Sequence, residues 1–108
     1  MTIILKDLPK ISLNKWYAGM HWTKRKKIKD NYTLIVKSQF KNILPKTKIY
    51  NTEYHFTFKS RPLDASNCVA MVKMIEDIIF ESDGYKVIKS ILITSTKGDQ
   101  DIVEIKIN

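Results

Sequence analysis

Acidic residues that could bind a metal ion are concentrated in one stretch of an otherwise basic chain. The segment "RPLDASNCVAMVKMIED" and, shortly after it, "ESDG" contain Asp64, Asp77 and Asp83, with Lys73 among them. Mg²⁺ prefers carboxylate oxygen ligands, and beside a basic surface such an ion can activate water and neutralise the charge of a phosphate. One interpretation of these residues is therefore a magnesium site for the hydrolysis of a phosphodiester.

The same residues also fit ordinary helix chemistry. Asp64 or Ser66 would then cap the N-terminus of a helix. Lys73 and Asp77, which are one helical turn apart, would form a surface ion pair, and Asp83 would belong to a turn before the next strand. Residue types and spacing alone leave both interpretations open.

The helix that would carry these residues is predicted over 66–81. Apolar residues recur there at the helical period, at Cys68, Met71, Val72, Ile75, Ile78 and Ile79. Glu76 lies roughly 100° from Asp77 around this helix and is the weaker candidate for the acidic cluster. Because four helical turns span more than about 20 Å, Asp64 and Asp83 at its two ends are not neighbours by default. They would meet only through a kinked or shorter helix, a segment that folds back, or a second subunit.

The other elements predict one sheet and one more helix. Alternating or β-branched residues predict strands at 2–8, 48–61, 86–97 and 101–108. A first helix begins at Thr23 and is stopped by Pro45, after a loop over 10–22. In the second strand, alternation places on one face Tyr50, Thr52, Tyr54, Phe56 and Phe58. The last two strands, linked by "GDQ", are predicted to form a hairpin. The order βαβαββ predicts a single α+β domain over 1–108, with one mixed sheet covered by two helices.

Composition favours a polyanion as the partner. The chain has 19 Lys and Arg against 11 Asp and Glu, a net charge of +8, and this charge attracts nucleic acid first and an anionic membrane surface second. No apolar run is long enough to cross a bilayer, and "MTIILKDLP" lacks the apolar region of a signal peptide. We therefore expect a cytoplasmic protein with no membrane partner. The single cysteine, Cys68, excludes an internal disulfide and a multi-cysteine zinc site.

The chain also resembles a known family over nearly its whole length. "LPKISLNKWY", the basic helix after it and "RPLDASNCVAMVKMIEDIIFESDGYKVIKSI" are similar to the RusA family of Holliday-junction resolvases. That family opens with a strand and a proline-rich PSxN turn, and its centre is a D-x-D-N…K…D motif closed by an acidic pair. Its members are phage-derived endonucleases that act as homodimers with a divalent metal.

The resemblance implies roles for individual residues. Asp64 resembles the first catalytic aspartate, Asn67 the motif asparagine and Lys73 the motif lysine. Asp77 resembles the helix aspartate and Asp83 the last aspartate. The resemblance thus implies a catalytic group of Asp64, Asp77, Asp83 and Lys73, in which the three aspartates hold Mg²⁺ or Mn²⁺.

Two departures from the family pattern bear on the metal site. Ser66 stands where the family has its second aspartate, and Ser82 replaces the first residue of the acidic pair. Since a carboxylate is a strong ligand for Mg²⁺, these replacements predict a lower affinity for the ion. An alternative function is therefore a catalytically weakened RusA-fold protein that serves as a DNA-binding or protein-interaction module, with a host or phage protein as partner.

The resemblance also implies a DNA substrate, a partner and a cellular context. A RusA-like protein would resolve four-way junctions or other branched DNA in recombination and repair, as a homodimer, in the cytoplasm of a bacterial host and encoded by a phage or prophage. The residues predicted to contact DNA are Asn14, Lys15, Lys24, Arg25, Lys26, Lys27, Arg61, Asn67 and Lys86. Aromatic residues of the 10–22 loop would either stack on unpaired bases or anchor the loop to the core; they are Trp16, Tyr17, His21 and Trp22.

Overall fold

A mixed four-stranded sheet forms the centre of the computed structural model, which describes residues 1–108. The strands are β1 (Thr2–Lys6), β2 (Tyr50–Phe58), β3 (Ile88–Lys97) and β4 (Ile102–Ile107). The helices are α1 (Leu13–Tyr17), α2 (Trp22–Gln39) and α3 (Val69–Ile79), and a 3₁₀ turn over Ala65–Cys68 leads into α3. The strands lie in the order β1-β4-β2-β3, so the predicted α+β class with one mixed sheet is confirmed.

The hydrophobic core lies between one face of the sheet and the helices α2 and α3. The buried side chains of β2 are the predicted ones, Tyr50, Thr52, Tyr54, Phe56 and Phe58. Helix α3 adds Ile75 and Ile79 to the core, and α2 adds Tyr32 and Val36. The Tyr32 hydroxyl donates a hydrogen bond to the carbonyl of Pro9, which holds the segment after β1 against α2.

The predicted loop over 10–22 contains a helix, so the fold has three helices rather than two. Helix α1 is capped by Ser12, whose hydroxyl oxygen accepts a hydrogen bond from the backbone N–H of Lys15 at 3.1 Å. At five residues the helix is too short to produce a hydrophobic period. Its N-cap is therefore the only local signal that the sequence carries for it.

The limits of α2 also differ from the prediction. The N-cap is His21 rather than Thr23, and the helix ends at Gln39, well before Pro45. The Gln39 side chain accepts a hydrogen bond from the Lys6 N–H at 2.7 Å and donates one to the Lys6 carbonyl at 2.8 Å. The end of α2 is thus docked against β1. None of the helices is long and apolar enough to cross a membrane.

Strands β2 and β3 run parallel, and α3 connects them. The chain therefore leaves β2 at its C-terminal end, passes along α3 and enters β3 at the N-terminal end of that strand. The loop over 59–64 and the loop over 80–87 consequently lie at opposite ends of the parallel pair. Asp64 belongs to the first loop and Asp83 belongs to the second.

The predicted hairpin of the last two strands is wrong. Strand β2 lies between β3 and β4, pairing in parallel with β3 and antiparallel with β4. The link between β3 and β4 therefore passes across the end of β2, where the N–H of Gly98 donates to the carbonyl of Phe58 at 3.0 Å. Alternation and a short link with a glycine predict two strands and a reversal of direction, but they do not determine which strand lies between them.

This crossing requires a glycine at position 98 because the backbone there lies close to the side chain of Thr57. A Cβ atom at Gly98 would lie 2.4 Å from Cγ2 of Thr57. We expect Gly98→Ala to lower the free energy of unfolding by about 1–3 kcal/mol, as overpacking usually does. Urea denaturation measures the loss. The double variant with Thr57→Ala should recover most of it, and strictly additive losses would show that the contact is not the cause.

Candidate functional site

The segment that follows α3 is held in place by Leu44, which is distant from it in the sequence. Helix α3 ends at Ile79, and Phe80 is extended and forms an isolated parallel bridge with Leu44. The N–H of Leu44 donates to the carbonyl of Ile79 at 2.8 Å, and the N–H of Glu81 donates to the carbonyl of Leu44 at 2.9 Å. These bonds hold the following turn, which contains Asp83, at the C-terminal end of α3.

Three carboxyl groups interact at this end of α3. Glu76 is 4% exposed, and burial together with Asp83 raises its pKa to about 7, against the opposing effect of Lys73. Burial and Asp83 also raise the pKa of Asp77, while Lys29 and Lys73 lower it. Asp83 therefore makes both Glu76 and Asp77 harder to ionise, as closely spaced like charges do. The structure brings the predicted residues Asp77, Asp83 and Lys73 together and adds Glu76 and Lys29.

Glu76 points into the interior, where two polar atoms have no partner. Its Oε2 atom and the hydroxyl of Tyr54 are both buried without a hydrogen bond. Burial and the charge of Glu76 raise the pKa of Tyr54 above its ordinary value, so the phenol is close to this carboxyl group and remains protonated. Unpaired buried polar atoms are rare in folded proteins, which marks this end of α3 as unusual.

A small groove opens next to Asp77, between α1, α2 and α3. Its lining residues are Leu13, Trp16, Tyr17, Lys29, Ala70, Lys73, Met74 and Asp77. Two lysines and one aspartate thus line an otherwise largely apolar groove. Lys29 reaches it from α2 and Lys73 from α3. The arrangement suits a ligand that is anionic and also has an apolar face, because the lysines supply charge and the aromatic rings supply contact area.

Trp16 holds α1 in place beside this groove. The Arg25 guanidinium lies 5.5 Å and the Lys29 ammonium 5.8 Å from the centre of the indole ring. Arg25 also donates a hydrogen bond to the carbonyl of Trp16 at 2.6 Å. Of the four aromatic residues in this segment, Trp16 therefore acts as an anchor, whereas Tyr17 and Trp22 are 63% and 68% exposed.

Asp64 lies apart from the other predicted aspartates. It is exposed and precedes the 3₁₀ turn, and its side chain makes no capping bond; its carbonyl accepts from the N–H groups of Asn67 and Cys68. The 3₁₀ turn and about two and a half turns of helix separate it from Asp77, a length of about 20 Å. Ser66 is on the same exposed turn. Within one chain, the structure does not bring Asp64 to Asp83.

The residues predicted to contact DNA fall into three groups. The largest group lies on two of the three helices that line the groove, with Asn14 and Lys15 on α1 and Lys24, Arg25, Lys26 and Lys27 at the start of α2. Arg61 and Asn67 lie near Asp64, and Lys86 follows Asp83. Lys26 forms an exposed ion pair with Asp30 at 2.8 Å, which leaves its charge in solvent and contributes little to stability. Five of the six residues in the largest group are basic, and they lie on the helices α1 and α2 that contribute Trp16 and Lys29 to the groove.

Comparisons with known proteins identify no family for the chain. No family model, curated protein or solved structure matches the chain. The resemblance to the RusA family and the residue roles that it implies stay predictions.

The donor atoms at the end of α3 suit a hard divalent cation. As they stand, no three or more His, Cys, Asp or Glu side chains form a group that could hold a metal ion. Mg²⁺, however, is commonly bound through one or two carboxylates, with water and substrate phosphates completing its shell. The adjacent pair Asp77 and Asp83 meets this requirement, and the buried Oε2 of Glu76 lacks a partner beside them.

Of the two further residues at this site, Glu76 and Lys29, only Glu76 has a signal in the sequence. Glu76 falls on the apolar stripe of α3 between Val72 and Ile79, and a charged residue on a buried stripe is more informative than one on the surface. Lys29 has no such signal. Its approach to Asp77 depends on how α2 packs against α3, which local spacing does not determine.

Proposed function

We propose that the chain is a metal-dependent endonuclease that cuts four-way junctions or other branched DNA, in the manner of the RusA family. The observation that carries this proposal is the adjacency of Asp77 and Asp83 beside a groove with Lys29 and Lys73. Asp77 and Asp83 are the residues that would hold Mg²⁺ or Mn²⁺. When bound, the ion supplies an activated water and neutralises charge on the phosphate.

The chain's own residues position the DNA. Lys73 and Lys29 lie on the side of Asp77 that faces the groove, where their charges stabilise a phosphate group that gains negative charge during cleavage. The basic starts of α1 and α2 hold the arms of the junction through their phosphates. Because this binding releases counterions, its affinity should fall steeply with salt.

A homodimer fits this proposal. Two copies would present two metal sites to the two strands that must be cut when a junction is resolved. A second chain would also be the only source of an Asp64 close to Asp77 and Asp83, since the α3 of the same chain keeps these residues apart. We place such a dimer in the cytoplasm of a bacterial host, encoded by a phage or prophage.

A second candidate is a DNA-binding module without catalysis. It is favoured by Ser66, which removes a carboxylate expected in the family, and by the distance of Asp64 from the pair at the other end of α3. Such a protein would keep the basic surface and bind junctions in a salt-dependent way. If it bound no DNA, a host or phage protein would be the remaining partner.

Junction cleavage tests the proposal directly. The full chain is incubated with a labelled four-way junction and with a linear duplex of matched sequence, in Mg²⁺ and in chelator. We expect paired nicks in the junction alone, only with Mg²⁺, and their loss in Asp77→Asn. Asp30→Asn makes the same change of charge in an exposed ion pair and should keep cleavage. Binding without cleavage under every divalent ion would contradict the nuclease and favour the DNA-binding module without catalysis.

A further inference from the structure

Strand β3 leaves one edge of the sheet unpaired. It lies at the end of the strand order β1-β4-β2-β3 and pairs only with β2. The strand is ten residues long and keeps most of its side chains exposed, including Ile91 at 44% and Leu92 at 49%. A long edge strand of this kind presents backbone N–H and C=O groups to which another strand can bind.

The direction of the carbonyl groups identifies which residues of β3 face the free edge. The Ser90 carbonyl accepts a hydrogen bond from the Thr52 hydroxyl of β2 at 3.0 Å, so it points towards β2. Successive peptide groups in a strand point to alternate edges. The N–H and C=O groups of Ile91, Ile93 and Ser95 consequently point away from β2, to the side where the sheet has no strand.

The opposite edge of the sheet is shorter and partly occupied. Strand β1 has five residues, against ten in β3. The Gln39 side chain bonds to both the N–H and the carbonyl of Lys6, so it occupies the outward backbone groups at the end of β1. In β3, residues 90–96 include no charged residue, proline or glycine, which are the residues that usually prevent pairing at an edge. The edge of β3 is therefore the one where the sheet can be extended.

A second copy of β3 matches this edge when it runs antiparallel. With Leu92 on a two-fold axis, Ile91 lies opposite the partner's Ile93, and their outward backbone groups form hydrogen-bonded pairs. The two copies of Leu92 then lie opposite each other on the other face of the sheet. Lys89 lies opposite the partner's Ser95, so the pairing brings no two lysines together although each chain has a net charge of +8.

We propose that two copies of the chain pair through the free edges of β3 and form one continuous sheet, with four strands from each copy. A second copy is the occupant that the strand itself favours, because one register both covers the exposed Ile91 and Leu92 and keeps the flanking lysines opposite uncharged residues. The inference rests on the homodimer of the proposed function and names the surface through which it forms. It requires neither the metal ion nor DNA.

Sedimentation velocity of the full chain, without DNA or divalent cations, tests this interface. We expect the wild type to sediment as a dimer, at twice the 12.6 kDa mass of one chain. Leu92→Lys should sediment as a monomer, because it places two like charges opposite each other at the two-fold axis. Ile4→Lys makes a similar change at a 50% exposed residue of the other edge strand and should remain dimeric. A monomeric wild type or a dimeric Leu92→Lys would overturn the interface.

Disulfide cross-linking tests the register with a second pair of variants. The native Cys68 is buried, so a cysteine introduced into β3 is the accessible thiol. Leu92→Cys should form a disulfide between two chains under mild oxidation, because the axis brings its two copies within about 5 Å. Thr94→Cys lies on the same face of β3, but it would lie opposite the partner's Ser90 and should stay reduced.

The absence of a cross-link in Leu92→Cys, or equal cross-linking of both cysteine variants, would overturn the pairing. Neither readout involves cleavage. A monomer that cuts junctions would therefore contradict this interface but not the nuclease, and a dimer that does not cut would contradict the nuclease but not this interface.

Discussion

Replacing Glu76 with glutamine is expected to raise the free energy of unfolding by roughly 3 kcal/mol at pH 8 in the absence of divalent cations. The reason is that the pKa of Glu76 is raised from 4.5 to about 7 in the folded protein. At pH 8 the folded chain must therefore keep an ionised carboxylate in a place that disfavours its charge. Glutamine occupies nearly the same space without the charge.

The effect should depend on pH in a defined direction. Below about pH 4.5 Glu76 is protonated in both the folded and the unfolded chain, so it does not make the free energy of unfolding depend on pH. Between pH 4.5 and about 7 the folded state binds the extra proton, so the stability of the wild type falls as pH rises. Above about pH 7 the folded chain carries the full destabilisation caused by the ionised Glu76 carboxylate. The groups that face Glu76 are Asp83, Asp77 and Lys73, with Tyr54 from β2.

Urea denaturation of both proteins from pH 4.5 to pH 8 measures this difference. The curves should converge at the acidic end and separate as pH rises, with Glu76→Gln the more stable protein throughout the window. Glu104→Gln, which changes a half-exposed carboxylate near Lys106, controls for the general loss of a negative charge. Parallel curves for the wild type and Glu76→Gln would show that the carboxyl group is not held in an unfavourable environment.

The sequence predicted the faces of β2 and α3 well, because alternation and helical period report directly which side of an element is buried. Tyr54 and Phe56 are buried as the alternation requires, and Ile75 and Ile79 are buried as the period requires. The same helical wheel placed Glu76 away from Asp77, and the structure agrees, with Glu76 buried and Asp77 exposed. Local periodicity was sufficient for each of these statements.

What the sequence did not predict depends on contacts between distant segments. Strands β3 and β4 pair with opposite edges of β2, and no pattern within either strand determines which edge it pairs with. The position of Asp83 depends on the bridge between Leu44 and Phe80. The turn after that bridge places Asp83 close enough to both Glu76 and Asp77 to raise the pKa of each. The spacing of the acidic residues therefore indicated a cluster, but it could not indicate that the cluster forms at one end of the helix and leaves Asp64 at the other.

Asp83→Asn is expected to reduce junction cleavage by about 100-fold or more and to weaken Mn²⁺ binding, because it would remove one of the two proposed carboxylate ligands. Asp64→Asn is expected to leave the affinity for Mn²⁺ within about twofold of the wild type, since the α3 of the same chain holds Asp64 about 20 Å from Asp77. The two aspartates have equal charge and are both exposed, so each substitution serves as the control for the other.

Calorimetry with Mn²⁺ and single-turnover cleavage of a labelled junction measure the two effects separately. A large loss of Mn²⁺ affinity in Asp64→Asn would contradict a site that is complete within one chain. It would require a second copy to bring its own Asp64 to the pair. A mixture of the two inactive variants would then recover cleavage, because in a mixed dimer one shared site combines the intact Asp64 of one chain with the intact Asp83 of its partner. Without such recovery, Asp77 and Asp83 must account for metal binding alone.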